Sequence, residues 1–233
     1  SEMCIRDSCR HLRDRGNDFQ KLDDKGSGKI DRVIIDTKDV RSRFIVESPM
    51  HFNVWDKIIR KEILDHNCIR FPEQVAYEDI YFGALLHLYV RKVAYVDAIY
   101  YHYYINPAST VLKKEAAYHG DIITVNEMLV ETLKERGFWE TYQKSLEIDL
   151  LFIWYLATVK IICLRFEKPP YEMFCRLKRS ILFYIPECLK NPYIPVYMKE
   201  FYQLLLKLLE IEVTPPVLDQ VAEQYKQYVQ TYE

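Results

Sequence analysis

Glycine is scarce in this 233-residue chain, which has six. The stretch GSGK at 26–29 lacks the earlier glycine and the following Ser or Thr of a phosphate loop, so it is interpreted as a turn. The six cysteines show no C-x-x-C pair and no metal-ligand spacing with histidine, which predicts free thiols rather than disulfides or structural zinc. Lys and Arg number 32 against 34 Asp and Glu, so no global field favours nucleic acid. A globular protein of ordinary composition is expected.

Long hydrophobic runs are also missing. The longest spans 150–164, which is 15 residues including Lys160 and too short for a membrane span. No signal-peptide pattern is found, and a cytoplasmic location is predicted. The apolar stretch 146–164 is interpreted as a central buried helix, with an interfacial helix on a bilayer as the alternative.

Tyrosine is abundant, with 19 residues, and the chain divides by pattern into three parts. Residues 1–30 are polar and predicted to be a loop or an artefactual, frayed N-terminus. Residues 31–110 are predicted to be mixed α/β, with strands at 32–36 and 43–47 and a helix at 54–66 capped by Asn53. A helix is expected after Tyr77, followed by strands that are interrupted near Asp97.

Residues 111–233 carry helical patterns alone. One stripe is closed by Gly137, proline pairs at 169–170 and 215–216 are expected to start helices, and a last stripe lies near the C-terminus. The first stripe consists of Ile122, Val125, Leu129 and Leu133, and the last of Val217, Val221, Tyr225, Tyr228 and Tyr232. The predicted fold class is α/β followed by an all-α C-terminal extension.

The first eight residues, SEMCIRDS, resemble a translated sequencing adapter. If the encoding nucleotides match an adapter, these residues are not part of the natural protein and the gene continues upstream. The chain would then be a C-terminal fragment.

An adjacent acid pair, Glu78 and Asp79, lies in the stretch FPEQVAYEDIYF at 71–82. At a helix N-terminus the free amides and the helix dipole favour ionised carboxylates, so the pair has a structural role as a cap. A carboxylate held in this way could equally serve as a catalytic base. Position alone favours the cap.

Three blocks in order surround the pair: NVWDKIIRKEIL at 53–64, IRFPEQVAYEDIYF at 69–82, and IYYHYYINPAST at 99–110. They resemble the acceptor half of bacterial family 2 glycosyltransferases of the GT-A fold. In those enzymes a W/N-K-L-Y-R-R-E-L-L segment leads to R-F-P-E-G-x-x-x-E-D and then to Y-x-Y-R-x-x-x-x-S. The resemblance covers roughly 53–111, and the chain departs from it at Asp56, where the pattern has Asn, and at Tyr104, where it has Arg.

The resemblance implies an inverting transfer of a sugar from a nucleotide-sugar donor to a saccharide or lipid-linked acceptor, in the assembly of a bacterial surface polysaccharide. Asp79 would be the base, kept ionised by the helix dipole, and Glu78 would support it. The substrate-binding residues implied are Trp55, Lys57, Arg70, Tyr77, Tyr101, His102 and Ser109. For Lys57 and Arg70 the implied role is to hold the loop or to face donor phosphates, and the tyrosines, with Tyr81 and Tyr103, are alternatively core packing.

Enzymes of this family also have a nucleotide-binding half whose D-x-D motif holds a divalent metal, Mn or Mg. No two aspartates of this chain are two apart, so that site is absent and the chain alone is predicted to be inactive. A packed core histidine is favoured for His102 over a metal ligand. Peripheral association with the inner face of the plasma membrane is left open.

A different class of function is the alternative. The tyrosine-rich helical stripes would then form a non-enzymatic interaction module, and Glu78 and Asp79 would only cap a helix. A hydrolase using both acids is disfavoured, because adjacent side chains on a first turn diverge by about 100° and cannot flank one bond.

Overall fold

The structure is a computed structural model, and it describes residues 5–14, 27–47, 52–104 and 113–232. The chain divides into two compact units, one formed by Ser1–Glu73 with Glu78–Leu112 and the other by Gln74–Tyr77 with Lys113–Glu233. The first unit is mixed α/β and the second is helical. The short loop 74–77 therefore belongs to the helical unit, although its neighbours on both sides belong to the mixed one.

A four-stranded sheet organises the mixed unit, in the order β2-β4-β1-β3. Its strands are β1 (Ile5–Asp14), β2 (Ile30–Ile34), β3 (Lys57–Ile59) and β4 (Lys92–Tyr104). Strand β4 runs parallel to β1 and antiparallel to β2, while β3 runs antiparallel to β1. The loop predicted for the first 30 residues is therefore wrong over Ile5–Asp14, because backbone pairing forms this strand without an apolar side-chain pattern.

Strand β4 confirms the strand predicted there, and its predicted interruption near Asp97 appears as a shift in register. Cys9 is opposite Val96 and the next residue, Arg10, is opposite Ile99. The backbone of Asp97 pairs instead with Gly28 and Lys29. The strand is therefore continuous but bulged at this point.

The strand predicted at 43–47 is wrong, because this segment lies in helix α1 (Lys38–Glu47). The buried side chains Arg41, Phe44 and Ile45 have the spacing of one helix face, and the hydroxyl of Thr37 accepts the amide of Val40 at 3.2 Å. Tertiary packing therefore outweighs the strand propensity of this β-branched and aromatic run.

The helix predicted from residue 54 begins instead at Lys61, as α2 (Lys61–His66), and Arg60 rather than Asn53 is the residue before its first turn. Residues 57–59 pair with β1 as strand β3. The next helix, α3 (Glu78–Tyr89), follows the prediction and carries both acids in its first turn.

The helical unit is built around one long buried helix. It consists of α5 (Phe138–Leu150), a π-helical segment (Leu151–Leu156) and α6 (Ala157–Leu164). Trp154 and Tyr155 are fully buried in it, and the Tyr155 hydroxyl donates to the carbonyl of Leu205 at 2.7 Å. The predicted central buried helix is confirmed, and within the described ranges no helix is long and apolar enough to cross a membrane.

The remaining helices pack around this one. They are α4 (Asp121–Glu135), α7 (Tyr171–Tyr184), α8 (Ile194–Tyr197), α9 (Glu200–Leu206) and α10 (Pro215–Tyr232), with short 3-10 turns between them. The first predicted stripe is buried in α4, Gly137 closes it at a φ of 72°, and both proline pairs precede or start helices. On α10 the buried side chains are Leu218, Ala222 and Tyr225, so the predicted stripe is displaced by one position at its start.

Candidate functional site

Asp79 lies in the first turn of α3 and is half-buried. Burial raises the pKa of its carboxyl above the ordinary value of 3.8, and the neighbouring charge of Glu78 raises it further. The backbone amides of Ile80 and Asp79 and the ammonium of Lys57 lower the pKa by smaller amounts. Desolvation is thus the largest influence on this carboxyl, and it acts against the ionising effect of the helix terminus.

Gly83 lies one turn after Asp79, on the same face of α3. A Cβ added at this position would lie 2.6 Å from Cδ1 and 3.0 Å from Cα of Phe52. Glycine therefore lets the backbone at Phe52 pass directly over the helix. The segment that starts at Phe52 continues to Lys57, and this close approach holds it along the face that carries Asp79.

Lys57 and Asp56 form an ion pair at 2.5 Å with side chains that are 2% and 1% exposed. The Lys57 ammonium also donates to the carbonyl of Asn53 at 2.5 Å. A buried charge needs a partner of opposite charge, and Asp56 supplies it for Lys57, whose ammonium also acts on Asp79. These contacts favour a role for Lys57 in holding the site together over one in facing donor phosphates.

Three aromatic rings meet beside this segment. The ring of Trp55 lies 4.6 Å from that of Tyr101 and 4.9 Å from that of Tyr103, with interplanar angles of 29° and 31°. The two tyrosines point to the same side of β4 because they are two residues apart. Tyr101 is 36% exposed, so the cluster combines packing with an accessible aromatic edge.

Arg70 is engaged with the end of α2. Its guanidinium donates to the carbonyls of Leu64 and Ile69 at 2.9 and 2.8 Å and pairs with Asp65 at 2.7 Å. The Leu64 carbonyl in the last turn of α2 also accepts the amide of Ile69, so Arg70 adds a second bond at this point. Of the two roles expected for Arg70, holding the loop is the one this geometry supports.

Tyr77 is held by the helical unit. Its hydroxyl lies 2.6 Å from Nδ1 of His119, and the preceding amide, that of Ala76, donates to Asp121 at 3.0 Å. Its φ of 65° is in the left-handed region, which costs a residue with a side chain about 1–2 kcal/mol. These bonds give Tyr77 a structural role, and its role in sugar stacking stays a prediction.

Gln74 has a φ of 60°, also in the left-handed region. In the R-F-P-E-G pattern of the family that the chain resembles, glycine occupies this position. Glycine adopts such a conformation without steric cost. Gln74 therefore adopts a conformation that glycine would adopt more readily.

Two expected site residues cannot be placed. The side chain of His102 and all of Ser109 lie outside what the structure describes. Among the described residues, no group of three His, Cys, Asp or Glu side chains comes together, and the sequence has no D-x-D. The described residues therefore show no group of ligands for the divalent metal expected of the complete enzyme.

Sequence patterns missed three contributors to these sites: Asp56, Gly83 and His119. The pattern that the chain resembles has Asn where this chain has Asp56, and the buried carboxylate of Asp56 forms an ion pair with Lys57. A glycine inside an apolar helix indicates that another segment packs closely against it, so Gly83 could have been identified from the sequence. His119 has no local signal, because its partner Tyr77 is 42 residues away.

Comparisons with protein-family models, with curated proteins and with solved structures give no match to this chain.

Proposed function

We propose that this chain carries the acceptor-side part of an inverting family 2 glycosyltransferase of the GT-A fold, with Asp79 as its base. The substrates would be a nucleotide-sugar donor and a saccharide or lipid-linked acceptor. The observation that carries the proposal is the half-buried carboxyl of Asp79 with a raised pKa, next to the buried ammonium of Lys57. A carboxylate that is used only as a cap has no need of this burial.

In the proposed reaction Asp79 accepts one proton. An acceptor hydroxyl oxygen forms a bond to the anomeric carbon while the bond from that carbon to the donor phosphate oxygen breaks. The hydroxyl proton passes to the Asp79 carboxylate, and the nucleoside diphosphate departs with the bonding electrons. A raised pKa makes the carboxylate a stronger proton acceptor than an ordinary Asp, provided that it is ionised at the working pH.

The other residues of the site would support this step. Lys57, fixed by Asp56, lowers the pKa of Asp79 by its charge and so counteracts part of the effect of burial. Trp55 and Tyr101 offer aromatic surface next to the same segment, and the apolar C–H face of a sugar packs on such surface. Glu78 raises the pKa of Asp79 by its charge and stands at the exposed side of the first turn.

The left-handed backbone at Gln74 supports the proposal independently of the acids, since it occurs where the family pattern has glycine. Binding of the donor and release of its nucleoside diphosphate would need the nucleotide-binding half of such an enzyme. We therefore expect sugar transfer from the complete gene product and none from the 233-residue chain by itself. Transfer or tight nucleoside-diphosphate binding by this chain would contradict that expectation.

The test is Asp79→Asn in the complete gene product. Loss of a general base lowers kcat by about 100- to 10,000-fold, while the amide retains the shape of the carboxylate. Asp39→Asn is the matched control, because Asp39 is also an acid in a first helical turn, that of α1, and is exposed. Equal activity of the two variants would refute the base and favour a helix cap in a non-enzymatic interaction module.

A further inference from the structure

The loop Gln74–Tyr77 directly precedes the acid pair, yet it groups with the helical unit. We propose that His119 and Asp121 are positioning residues, which fix this loop directly before the acid pair Glu78 and Asp79. The proposal rests on the proposed function for its catalytic consequence. It assigns the helical region a role in the reaction without requiring that region to touch the substrates.

His119 offers a rigid anchor for the loop. Its ring is buried, with 1% of the residue exposed, and it packs against Tyr118 and Phe166 at centroid distances of 4.7 and 5.6 Å. Nε2 lies 3.0 Å from the carbonyl of Lys113, which can only accept, so this nitrogen carries the proton. In the neutral ring Nδ1 is then the acceptor, and the Tyr77 hydroxyl donates to it.

Asp121 offers a second anchor, only two residues along the chain. It is the first residue of α4, whose following side chains Ile122 and Ile123 are buried in the core of the unit. Its carboxylate accepts the amide of Ala76 at 3.0 Å. Because α4 is fixed by its own packing, the position of this carboxylate does not depend on the loop.

The two bonds hold consecutive residues of the loop, one through a backbone amide and the other through a side chain. Between them they determine the left-handed conformation of Tyr77, which a residue with a side chain adopts only when its surroundings enforce it. The next two residues along the chain are Glu78 and Asp79. A change in the backbone at Tyr77 therefore acts directly next to the acid pair in the sequence.

Hydrogen exchange on the 233-residue chain tests whether the anchors hold the loop. Tyr77→Phe removes one bond and Asp121→Ala the other, and each should speed exchange of the amides at 76–79 by about tenfold. Asp121→Asn keeps an acceptor oxygen and should restore most of the protection. Tyr193→Phe, at a tyrosine whose ring packs on Tyr197, is the control and should change nothing at 76–79. Exchange within twofold of this control in both variants would overturn the proposal.

Activity of the complete gene product tests the catalytic consequence. Tyr77→Phe and Asp121→Ala should each lower kcat by about tenfold with little change in the KM of the donor, and Asp121→Asn should recover it. Unchanged kcat beside faster exchange would show that the anchors hold the loop without serving the reaction, and would overturn their positioning role. If Asp79→Asn leaves transfer intact, the proposed function itself fails, whereas the exchange result still decides whether the loop is held.

Discussion

Gly83 offers a sharp test of how the site is assembled, because a single methyl group there meets the backbone of Phe52. In Gly83→Ala the new Cβ would lie 3.0 Å from Phe52 Cα, where nonbonded carbon atoms prefer about 3.5–4.0 Å. Rotating the Phe52 ring relieves its Cδ1 contact of 2.6 Å but not the backbone contact. The segment 52–57 must therefore move away from α3 by about 0.5 Å or more.

Two effects of opposite sign set the stability change. Alanine in a helix interior is favoured over glycine by about 1 kcal/mol. Overpacking a core contact costs about 1–3 kcal/mol. We expect Gly83→Ala to be destabilising by up to about 2 kcal/mol, taking the difference of these terms.

Gly120→Ala is the matched control. A Cβ at Gly120 meets nothing within 4 Å, and its backbone is already right-handed helical, with φ −70° and ψ −20°. Alanine there should be neutral or stabilising by up to about 1 kcal/mol, because it reduces the freedom of the unfolded chain. Urea unfolding of both variants measures the difference.

Moving segment 52–57 also weakens the effect of Lys57 on Asp79. Because the ammonium of Lys57 lowers the pKa of Asp79, that pKa should rise further in Gly83→Ala and stay unchanged in Gly120→Ala. A ¹³C NMR titration of the Asp79 carboxyl measures it. If Gly83→Ala stabilises the chain as Gly120→Ala does and leaves the pKa of Asp79 unchanged, the close approach does not set the site.

Three further predictions concern buried ionisable groups. Lys57→Met removes the ammonium that pairs with buried Asp56 and should cost about 3–5 kcal/mol in urea unfolding, whereas a loss below 1 kcal/mol would show that the pair is solvated. Asp79→Asn should raise Tm at pH 7, because the raised pKa of Asp79 contributes stability at low pH that is lost as pH rises through the folded pKa. The gain in Tm should vanish near and below the ordinary pKa of 3.8. A lower Tm of the variant at pH 7 would contradict this prediction. Burial raises the pKa of the Cys163 thiol to about 12, whereas Cys68 is exposed. A thiol reagent should therefore label Cys68 in the native chain and Cys163 only after unfolding, as measured by peptide mass analysis. Rapid labelling of Cys163 in the native chain would refute its burial.

Helical periodicity and punctuation residues predicted the helical unit well, because local rules decide these elements. The apolar stretch 146–164 is buried, and Gly137 ends a helix turn in the left-handed conformation that glycine tolerates. Segment 43–47 could not be assigned in this way. Its β-branched residues favour a strand, and only the burial of Phe44 and Ile45 on a common helix face decides otherwise.

In the candidate site, too, some positions follow from local sequence and others only from the folded structure. The position of Glu78 and Asp79 in the first turn of α3 follows from local sequence. The roles of Arg70 and Tyr77 do not, because their partners become apparent only in the folded chain: the end of α2 for Arg70, and His119 for Tyr77. The pKa of Asp79 likewise depends on burial, which no local pattern reports.

The most direct test of Asp79 as the base compares two titrations of the complete gene product. The acid limb of the pH profile of kcat/KM reports the base of the free enzyme, and the NMR titration reports the carboxyl of Asp79. We predict that the two midpoints coincide, at a pH above the ordinary 3.8 of an aspartate. An acid limb that lies elsewhere, or that persists unchanged in Asp79→Asn, would contradict the assignment.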